Sequence, residues 1–469
     1  VGLVFSLGAL GVGVWALTLF DTGRAATVQL AETRPWIPVL GVSWALGVNG
    51  LGLAMLLLAA FLMPVVLLAS WGEVAADRQG AFTALVLVLE AFMVVIFSAR
   101  DVFLFYVCFE AMLIPVYFLI GRFGGPDRQR AALKFLLYSL AGGLVMLIGV
   151  VALFFYGSHA PTGYLIESLA GSLTAPPTTA RWIFVSFMVA FAIKAPMVPV
   201  HTWLPDTAAV ARPGTSVLLV GVLDKVGTFG MIALCLQLTP GAAASAKWVM
   251  CVLAVISILW GGLAANGQND IMRLVSYTSV SHFGFMVLGI FIGSQIALVG
   301  AMFYMVAHGV SIAAMFLLSG WLARRGGTQD MREYVGMQRV TPVLAGLWLV
   351  SGLASIALPG LSGFVPEYLV LMGTWTVNAP LALVAVIGVV IAAMYVLMPY
   401  QRVFTGAPGK GKEELADLGG RERGVMAPLV VAMLVLGIWS APLVGALTPV
   451  ADSFGHPATA PAAAEGSAQ

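Results

Sequence analysis

Long apolar runs separated by short polar connections make up most of the chain, as far as about residue 450. A helix needs about 20 apolar residues to cross a bilayer, and most of these runs reach that length. A membrane β-barrel would instead show short segments of alternating polarity. The pattern predicts an all-α polytopic membrane protein with thirteen transmembrane helices, at residues 1–20, 44–71, 80–98, 101–121, 130–156, 181–200, 213–237, 247–267, 271–294, 296–322, 341–377, 380–403 and 425–448.

Prolines interrupt two of the predicted spans. Pro196 and Pro199 fall in the sixth span, and Pro359 and Pro366 fall in the eleventh, which is too long for one straight helix. Proline removes a backbone donor and clashes with the preceding turn, and in lipid the freed groups need protein or water partners. Broken helices of this kind are typical of buried polar cavities.

The two broken spans hold corresponding places in a repeat. Spans three to seven (80–237) and spans eight to twelve (247–404) each contain five helices, and the broken helix of each set carries one charge, Lys194 or Glu367. An odd number of helices per unit forces opposite orientations, so we predict two inverted five-helix repeats, an arrangement typical of transporters. The remaining regions are expected to be N-terminal helices, a cytoplasmic loop, a C-terminal helix and a disordered tail, at 1–79, 405–424, 425–448 and 449–469.

Charged residues make up only 9% of the chain, and their distribution predicts its orientation. With the start of the first span in the cytoplasm, sixteen of the 23 basic residues lie on the cytoplasmic side and two lie within the membrane. This bias follows the positive-inside rule and supports that orientation. The 17 arginines against 6 lysines and the abundance of Ala, Gly and Val favour a GC-rich bacterial source, so a bacterial plasma membrane protein is expected. The net charge of +2 does not indicate nucleic-acid binding, and no pair of the three cysteines has the CxxC spacing of a metal site. The five basic residues on the opposite side are Arg24, Arg34, Arg100, Arg181 and Lys247.

Eight ionisable side chains fall inside the predicted spans, although a charge near the bilayer centre costs about 2.5–3.5 kcal/mol. Acidic, basic and imidazole groups that follow one another through an apolar bundle indicate a path for protons or other ions. The eight residues are Glu90, Glu110, Lys194, Asp224, Lys225, His282, His308 and Glu367.

Different members of this set suit different steps of proton transfer. Glu110 is the expected partner of Lys194, and a lysine whose carboxylate partner approaches or retreats is a gated proton site. Lys225 is a candidate bridge between the repeats, and Glu367 is a candidate terminal site at a broken helix. Asp224 points about 100° away from Lys225, so it either neutralises that lysine, pairs with another helix or takes part in the relay.

His282 and His308 lie on consecutive spans, and each imidazole can pass a proton through its two nitrogens. A lone buried histidine is more often a satisfied hydrogen-bonding group, but two such residues on neighbouring helices favour a relay. His201, at the end of the first broken span, is a further candidate, whereas Glu90 fits a local contact as well as a function. Structural ion pairs are expected at the helix ends marked by Asp101, Asp206, Asp270 and Arg273.

Six motifs that contain these residues resemble the antiporter-like proton-pumping subunits of NADH:quinone oxidoreductase, respiratory complex I. The resemblance covers most of the chain and implies a fold of fourteen helices, so the first helix of the family is expected to be missing before Val1. The motifs are FEAMLIPVYFLIG (109–121), KAPMVPVHTWLPD (194–206), GVLDKVGTFG (221–230), QNDIMRLVSYTSVSHFGF (268–285), VAHGVSIAAMFLLSG (306–320) and PGLSGFVPEY (359–368).

The resemblance also implies roles for individual residues. Glu110 and Lys194 would form the coupled ion pair, Lys225 would bridge the halves, and the proton would end at Glu367 after passing the two histidines. The L and N types of subunit and the related antiporters usually carry lysine at position 367, whereas the M type carries glutamate. The resemblance further implies neighbouring L and N subunits, and it implies no cofactor in this chain but FMN, iron–sulfur clusters and quinone in other subunits.

Three departures from the family pattern stand out. The stretch after the first broken helix, usually DAHxxAP, here reads DTAAVARP (206–213), so a family histidine is lost and Ala208, Val210 and Arg212 change that loop. Asp224 replaces a usually apolar residue, and Met272 stands where lysine is frequent. Two alternatives remain open, namely a subunit of a multisubunit cation/proton antiporter and a membrane scaffold whose buried charges have no transport role.

Overall fold

The computed structural model describes residues 1–157, 162–409 and 411–454. Most of these residues are helical, because a helix satisfies the backbone hydrogen bonds of an apolar segment internally. The helices of the first half are α1 Gly2–Leu19, α2 Gly50–Ala69, α3 Ala76–Ser98, α4 Val102–Ala111, α5 Leu113–Phe123, α6 Arg128–Tyr156, α7 Ile166–Ser172, α8 Pro177–Lys194, α9 Trp203–Val210, α10 Pro213–Leu218 and α11 Lys225–Gly230.

The helix that contains α10 and α11 is continuous from Pro213 to Leu236, because the segments Leu219–Leu223 and Met231–Leu236 are π-helical. The helices of the second half are α12 Pro240–Asn266, α13 Ile271–Phe291, α14 Gln295–Gly326, α15 Met337–Val340, α16 Pro342–Ser355, α17 Phe364–Val377, α18 Ala379–Phe404, α19 Gly420–Ile438 and α20 Ala441–Asp452.

A two-stranded antiparallel sheet lies between α1 and α2, so the prediction of an all-α fold is wrong here. Strand β1 is Gln29–Ile37 and strand β2 is Val42–Val48, with Arg34 opposite Trp44. The second predicted span therefore began too early, at residue 44. Its helix starts at Gly50, where the Asn49 side chain accepts a hydrogen bond from the Gly52 amide at 2.9 Å. The boundary is not evident in the sequence, because most residues of β2 are apolar or aromatic, as are those of the helix that follows.

The two predicted breaks occur in the structure. Helix α8 ends at Lys194, and turns lead from there to α9. The second break separates α16 from α17, and its backbone turns through positive φ at Ala357 (58°) and Gly360 (89°). Pro366 lies within the first turn of α17 rather than in the break, since a proline fits the start of a helix.

Ten helices in the described ranges are long and apolar enough to cross a membrane, or eleven if α19 and α20 form one span with a bend of 66°. The broken pairs α8/α9 and α16/α17 are not among them, so the predicted count of thirteen is not confirmed. The C-terminal helix also differs from the prediction at 425–448, because it starts at Gly420 and α20 continues to Asp452. The rest of the predicted disordered tail, 455–469, lies outside the described residues.

Three helices form the centre of the molecule: Pro213–Leu236, α13 and α14. In the apolar stretch of each, 94% of the residues are buried inside the protein, against 11% in α1. Helix α17 packs closely on α14, because a Cβ added at Gly300 would lie only 2.9 Å from the main-chain oxygen of Pro366. These contacts place Glu367 beside the central helices, which carry Asp224, Lys225, His282 and His308.

A candidate proton relay

Lys225 and His308 are in direct contact at the centre of the protein. Lys225 is the first residue of α11, and both side chains are buried. The Nζ atom of Lys225 lies 2.8 Å from Nδ1 of His308 and also donates a hydrogen bond to the main-chain oxygen of Val220. The ring of Phe283 lies 5.1 Å from the same nitrogen, within the range of a cation–π interaction. A proton on Lys225 therefore has an imidazole as its immediate acceptor.

The two histidines continue this path from α14 to α13. The centroids of the His308 and His282 rings are 5.1 Å apart. Nε2 of His308 and Nδ1 of His282 have no hydrogen-bond partner in the part of the chain that the structure describes. Both rings thus retain a nitrogen that is free to exchange a proton.

Two buried tyrosines connect His282 with Glu367. Nε2 of His282 lies 2.7 Å from the Tyr395 hydroxyl, and the Tyr304 ring centroid lies 5.8 Å from that of His282. The Tyr304 hydroxyl donates a hydrogen bond of 2.8 Å to Oε2 of Glu367. The structure therefore brings Lys225, His308, His282 and Glu367 together in one continuous cluster, completed by these tyrosines.

Sequence reasoning missed Tyr304 and Tyr395. A signal for Tyr304 was available, because it precedes His308 by four residues and so lies on the same face of α14. Tyr395 has no comparable signal, since it lies on α18 within an otherwise apolar stretch and reaches His282 only through the tertiary fold.

Lys194 is fully buried at the end of α8, and its Nζ atom has no hydrogen-bond partner among the described residues. The rings of Phe109 and Phe135 lie 5.2 and 5.4 Å from that nitrogen, which suits two cation–π contacts. Two carboxylates act on it electrostatically, Asp224 and Glu110. The site can stabilise a cation without fixing it to one anion.

Glu110 lies next to last in α4, and its Oε1 atom has no hydrogen-bond partner in the described ranges. No ion pair within 4 Å joins Glu110 to Lys194, both of which the structure describes. Helix α6 adjoins the carboxylate, because a Cβ added at Gly143 would overlap it. The expected pair is thus open in this structure, and its coupled role stays a prediction.

His201 lies beside a group of ion pairs at the start of α9. Its ring centroid is 6.2 Å from that of Tyr277, and its Nδ1 atom has no partner among the residues described. Asp206, one turn further on, forms ion pairs with Lys134 at 2.6 Å and with Arg273 at 2.8 Å. These contacts confirm the structural ion pairing expected for Asp206 and Arg273. Lys134 also donates a hydrogen bond to the main-chain oxygen of Thr202, so His201 lies beside these ion pairs rather than in the central cluster.

Asp101 and Asp270 differ from the prediction, because they cap helices and form no ion pair with any residue that the structure describes. Oδ1 of Asp101 accepts hydrogen bonds from the first turn of α4, and its Oδ2 accepts one from the Ser43 amide at 2.8 Å. Asp270 caps α13 in the same way. Glu90 is buried on α3, and its Oε1 atom has no partner within the described segments. Both expectations for Glu90, a local contact and a function, stay predictions.

The fold and this cluster define a class of protein: a multi-pass helical membrane protein with connected ionisable side chains in its buried centre. Residues 99–392 match the family model described as the transmembrane region of NADH:quinone oxidoreductase and Mrp antiporters. The chain belongs to this family, which confirms the resemblance seen in the motifs.

The chain is similar to named relatives over nearly its whole length. It is 40% identical to NADH-quinone oxidoreductase subunit M of Mycobacterium tuberculosis, covering 96% of this chain and 88% of the relative. It is 36% identical to NADH-quinone oxidoreductase subunit 13 of Thermus thermophilus, covering 97% and 94%. Both relatives are named as subunits of NADH-quinone oxidoreductase.

Two solved structures share the fold. A chain of respiratory complex I from Thermus thermophilus with bound NADH superposes with a TM-score of 0.87 at 34% identity, covering 96% of this chain and 94% of that one. A chain of the Mrp complex from Dietzia superposes with a TM-score of 0.85 at 20% identity, covering 97% and 92%, which shows the shared fold alone.

Proposed function

We propose that this chain is an M-type subunit in the membrane arm of a proton-translocating NADH:quinone oxidoreductase. The observation that carries the proposal is the buried series of contacts from Lys225 through His308 and His282 to Tyr304 and Glu367. Each member can bind or release a proton, and 40% identity to a subunit M supports the assignment to this enzyme.

The chemistry of the relay is electrostatic. A change in the neighbouring subunit alters the distance between Glu110 and Lys194, and the loss of that attraction releases the lysine proton toward Lys225 and the histidines. Glu367 then holds the proton before its release. Moving one charge against 100 mV costs about 2.3 kcal/mol. A free-energy difference of a few kcal/mol between the close and the separated state of the Glu110–Lys194 pair is enough to drive this step. His201 belongs to the same proposal as a candidate for proton uptake.

The wider assembly follows from the same assignment. Other membrane subunits of complex I are the partners, with the L and N types on either side, and the bilayer is the plasma membrane with the basic loops in the cytoplasm. Redox chemistry with FMN, iron–sulfur clusters and quinone belongs to other subunits. Two inverted five-helix repeats, each with a broken helix, account for the matching positions of Lys194 and Glu367.

The experiment starts from tagged chain purified with its partners from native membranes in mild detergent. NADH-driven quinone reduction with bound flavin and iron–sulfur centres is expected. Cation/proton exchange without NADH-linked activity would instead support the antiporter alternative. The absence of both activities would support the third alternative, a membrane scaffold without a transport role.

Variants of the purified complex in vesicles then test the relay. Glu110→Gln or Lys194→Ala should lower the number of protons pumped per NADH while the flavin and iron–sulfur content stays normal. Glu414→Gln, a neutralised carboxylate on the exposed loop, is the control and should pump like the wild type. Wild-type pumping with either relay variant would contradict the mechanism.

A further inference from the structure

Asp224 is a buried charged group at the centre of the protein to which the relay above assigns no role. Its side chain is completely buried, and neither carboxylate oxygen has a hydrogen-bond partner among the described residues. A buried carboxylate without partners is costly, because nothing offsets its lost hydration. This cost indicates a function that requires the carboxylate itself.

Lys225, the next residue, faces α14. Gly221 precedes it by one turn, and a Cβ added at Gly221 would lie 3.5 Å from the main-chain oxygen of Gly309. Residues four apart share a helix face, and Lys225 indeed reaches His308 on α14.

Asp224 also lies near the side of the helix that meets α8. Gly227 follows it by three residues, and a Cβ added at Gly227 would lie 2.7 Å from both the Ala195 amide nitrogen and the Phe191 oxygen. The two backbones therefore meet at the turn of α8 that contains Lys194. Residues three apart also share a face, and Asp224 is three residues from both Gly221 and Gly227. It therefore lies between the side of the helix that meets α14 and the side that meets the end of α8.

The charges agree with this geometry. The opposite charges of Asp224 and Glu110 both act on Lys194, and that of Asp224 also acts on Lys225. Among the described carboxylates, Glu110 acts on Lys194 alone of the two buried lysines, whereas Asp224 acts on both and is therefore the one that they share.

We propose that Asp224 carries the proton from Lys194 to Lys225. In the first step the Lys194 ammonium gives a proton to the Asp224 carboxylate, which leaves a neutral amine and a carboxylic acid. In the second step the acid gives that proton to the neutral amine of Lys225, which restores the carboxylate and forms an ammonium. The inference rests on the proposed function, because it adds one member to that relay.

The test uses the whole complex in vesicles and compares Asp224→Asn with Asp224→Glu. Asparagine keeps the size of the side chain but cannot hold the proton, so the rate of proton pumping should fall by about a hundredfold, the lower end of what a positioned proton-transfer group contributes. Asp224→Glu should recover a large part of the rate. Thr228→Val removes a buried polar group one turn further along and should pump like the wild type.

Infrared difference spectra give a second readout that a structural role would not change. The wild type should show a protonated carboxyl band during turnover, and this band should shift in Asp224→Glu. Absence of the shift would overturn the proposal, even if Asp224→Asn fails to assemble. Wild-type pumping by Asp224→Asn would also overturn it, and the proposed function would still stand if Glu110→Gln abolished pumping in parallel.

Discussion

Nε2 of His282 lies 2.7 Å from the hydroxyl of Tyr395, although the two residues are 113 positions apart in the sequence. The contact joins α13 to α18 inside the buried centre. Tyr304 lies near the same imidazole and donates to Glu367. One histidine therefore adjoins two phenols, of which one is bonded to the carboxylate that we propose as the terminal proton site.

Tyr304→Phe removes a single oxygen, the donor to Glu367. The buried carboxylate then loses its partner at a cost of about 1–3 kcal/mol, and a barrier raised by about 1.4 kcal/mol slows transfer tenfold. We expect proton pumping to slow by about that factor in vesicles, measured with a pH-sensitive dye. Tyr368→Phe changes a half-exposed neighbour of Glu367 and serves as the control. Equal pumping in both variants would exclude Tyr304 from the relay.

Tyr395→Phe tests the other phenol. The change removes the hydroxyl bonded to His282, so we expect slower pumping with normal assembly. The double variant with Tyr304→Phe shows whether the two tyrosines act in one pathway or independently. The effects of two substitutions on the free energy add when the residues are independent and do not add when the residues are coupled. Non-additive losses of rate are expected, and strictly additive losses would show that the two tyrosines act separately.

Gly143→Ala introduces a methyl group where the Glu110 carboxylate lies. The carboxylate must move, so we expect reduced pumping without loss of the subunit from the complex. Gly346→Ala is the matched control, because a Cβ at Gly346 meets no atom within 4 Å. Unchanged pumping in Gly143→Ala would mean that the position of the Glu110 carboxylate is unimportant.

Asp101 joins the β-hairpin to the start of α4 through three amide hydrogen bonds. Asp101→Ala removes a helix cap, and caps contribute about 0.5–2 kcal/mol to stability. We expect a lower melting temperature of the purified protein and earlier proteolysis near the hairpin. Asp101→Asn retains one acceptor oxygen, so its melting temperature should fall less than that of Asp101→Ala. Equal melting temperatures for the wild type and the alanine variant would refute this stabilising role.

Glu73 predicts a dependence of stability on pH. It lies in the loop between α2 and α3, outside the membrane spans. Burial raises the pKa of its carboxyl, although the positive charges of Arg324, Arg212 and Arg421 oppose that shift. A pKa above the unfolded-state value means that folding favours the protonated form, so stability is lost as the pH rises through the folded-state pKa.

Glu73→Gln should therefore raise the melting temperature at mildly alkaline pH and change it less at acid pH. Glu413→Gln, an exposed carboxylate, is the control. A lower melting temperature of Glu73→Gln at mildly alkaline pH would contradict this prediction. It would show that the ion pair of Glu73 with Arg324, at 3.4 Å, stabilises the protein by more than the burial of the carboxylate destabilises it.

The sequence alone identified the charged members of the buried cluster because a charge in an apolar run is costly and therefore conspicuous. Lys225, His308, His282 and Glu367 were found in this way, and the structure brings them together. Tyr395 was missed because a tyrosine in an apolar helix is ordinary, and only tertiary packing brings its hydroxyl to His282.

The β-hairpin was missed for a related reason. The strand Val42–Val48 is apolar and runs directly into α2, so a measure of hydrophobicity does not separate them. The cap formed by Asn49 marks the boundary, but one asparagine between two apolar segments is a weak signal. Likewise, the aspartates at helix starts suited capping as well as ion pairing, and only the folded neighbours decide which occurs.

The burial of Pro213–Leu236, α13 and α14 has a consequence for how the buried charges act on each other. In 0.1 M salt, mobile ions screen the interaction between exposed charges that are more than about 10 Å apart. The surrounding helices keep such ions away from the buried charged side chains, so these are screened much less. Attraction and repulsion among Lys194, Asp224 and Lys225 therefore persist at the salt concentration of a cell. The outer helices thus act as electrical insulation. When a charge moves at one buried residue, the electrostatic potential at its neighbour changes by an amount that does not depend on the ionic strength of the solvent.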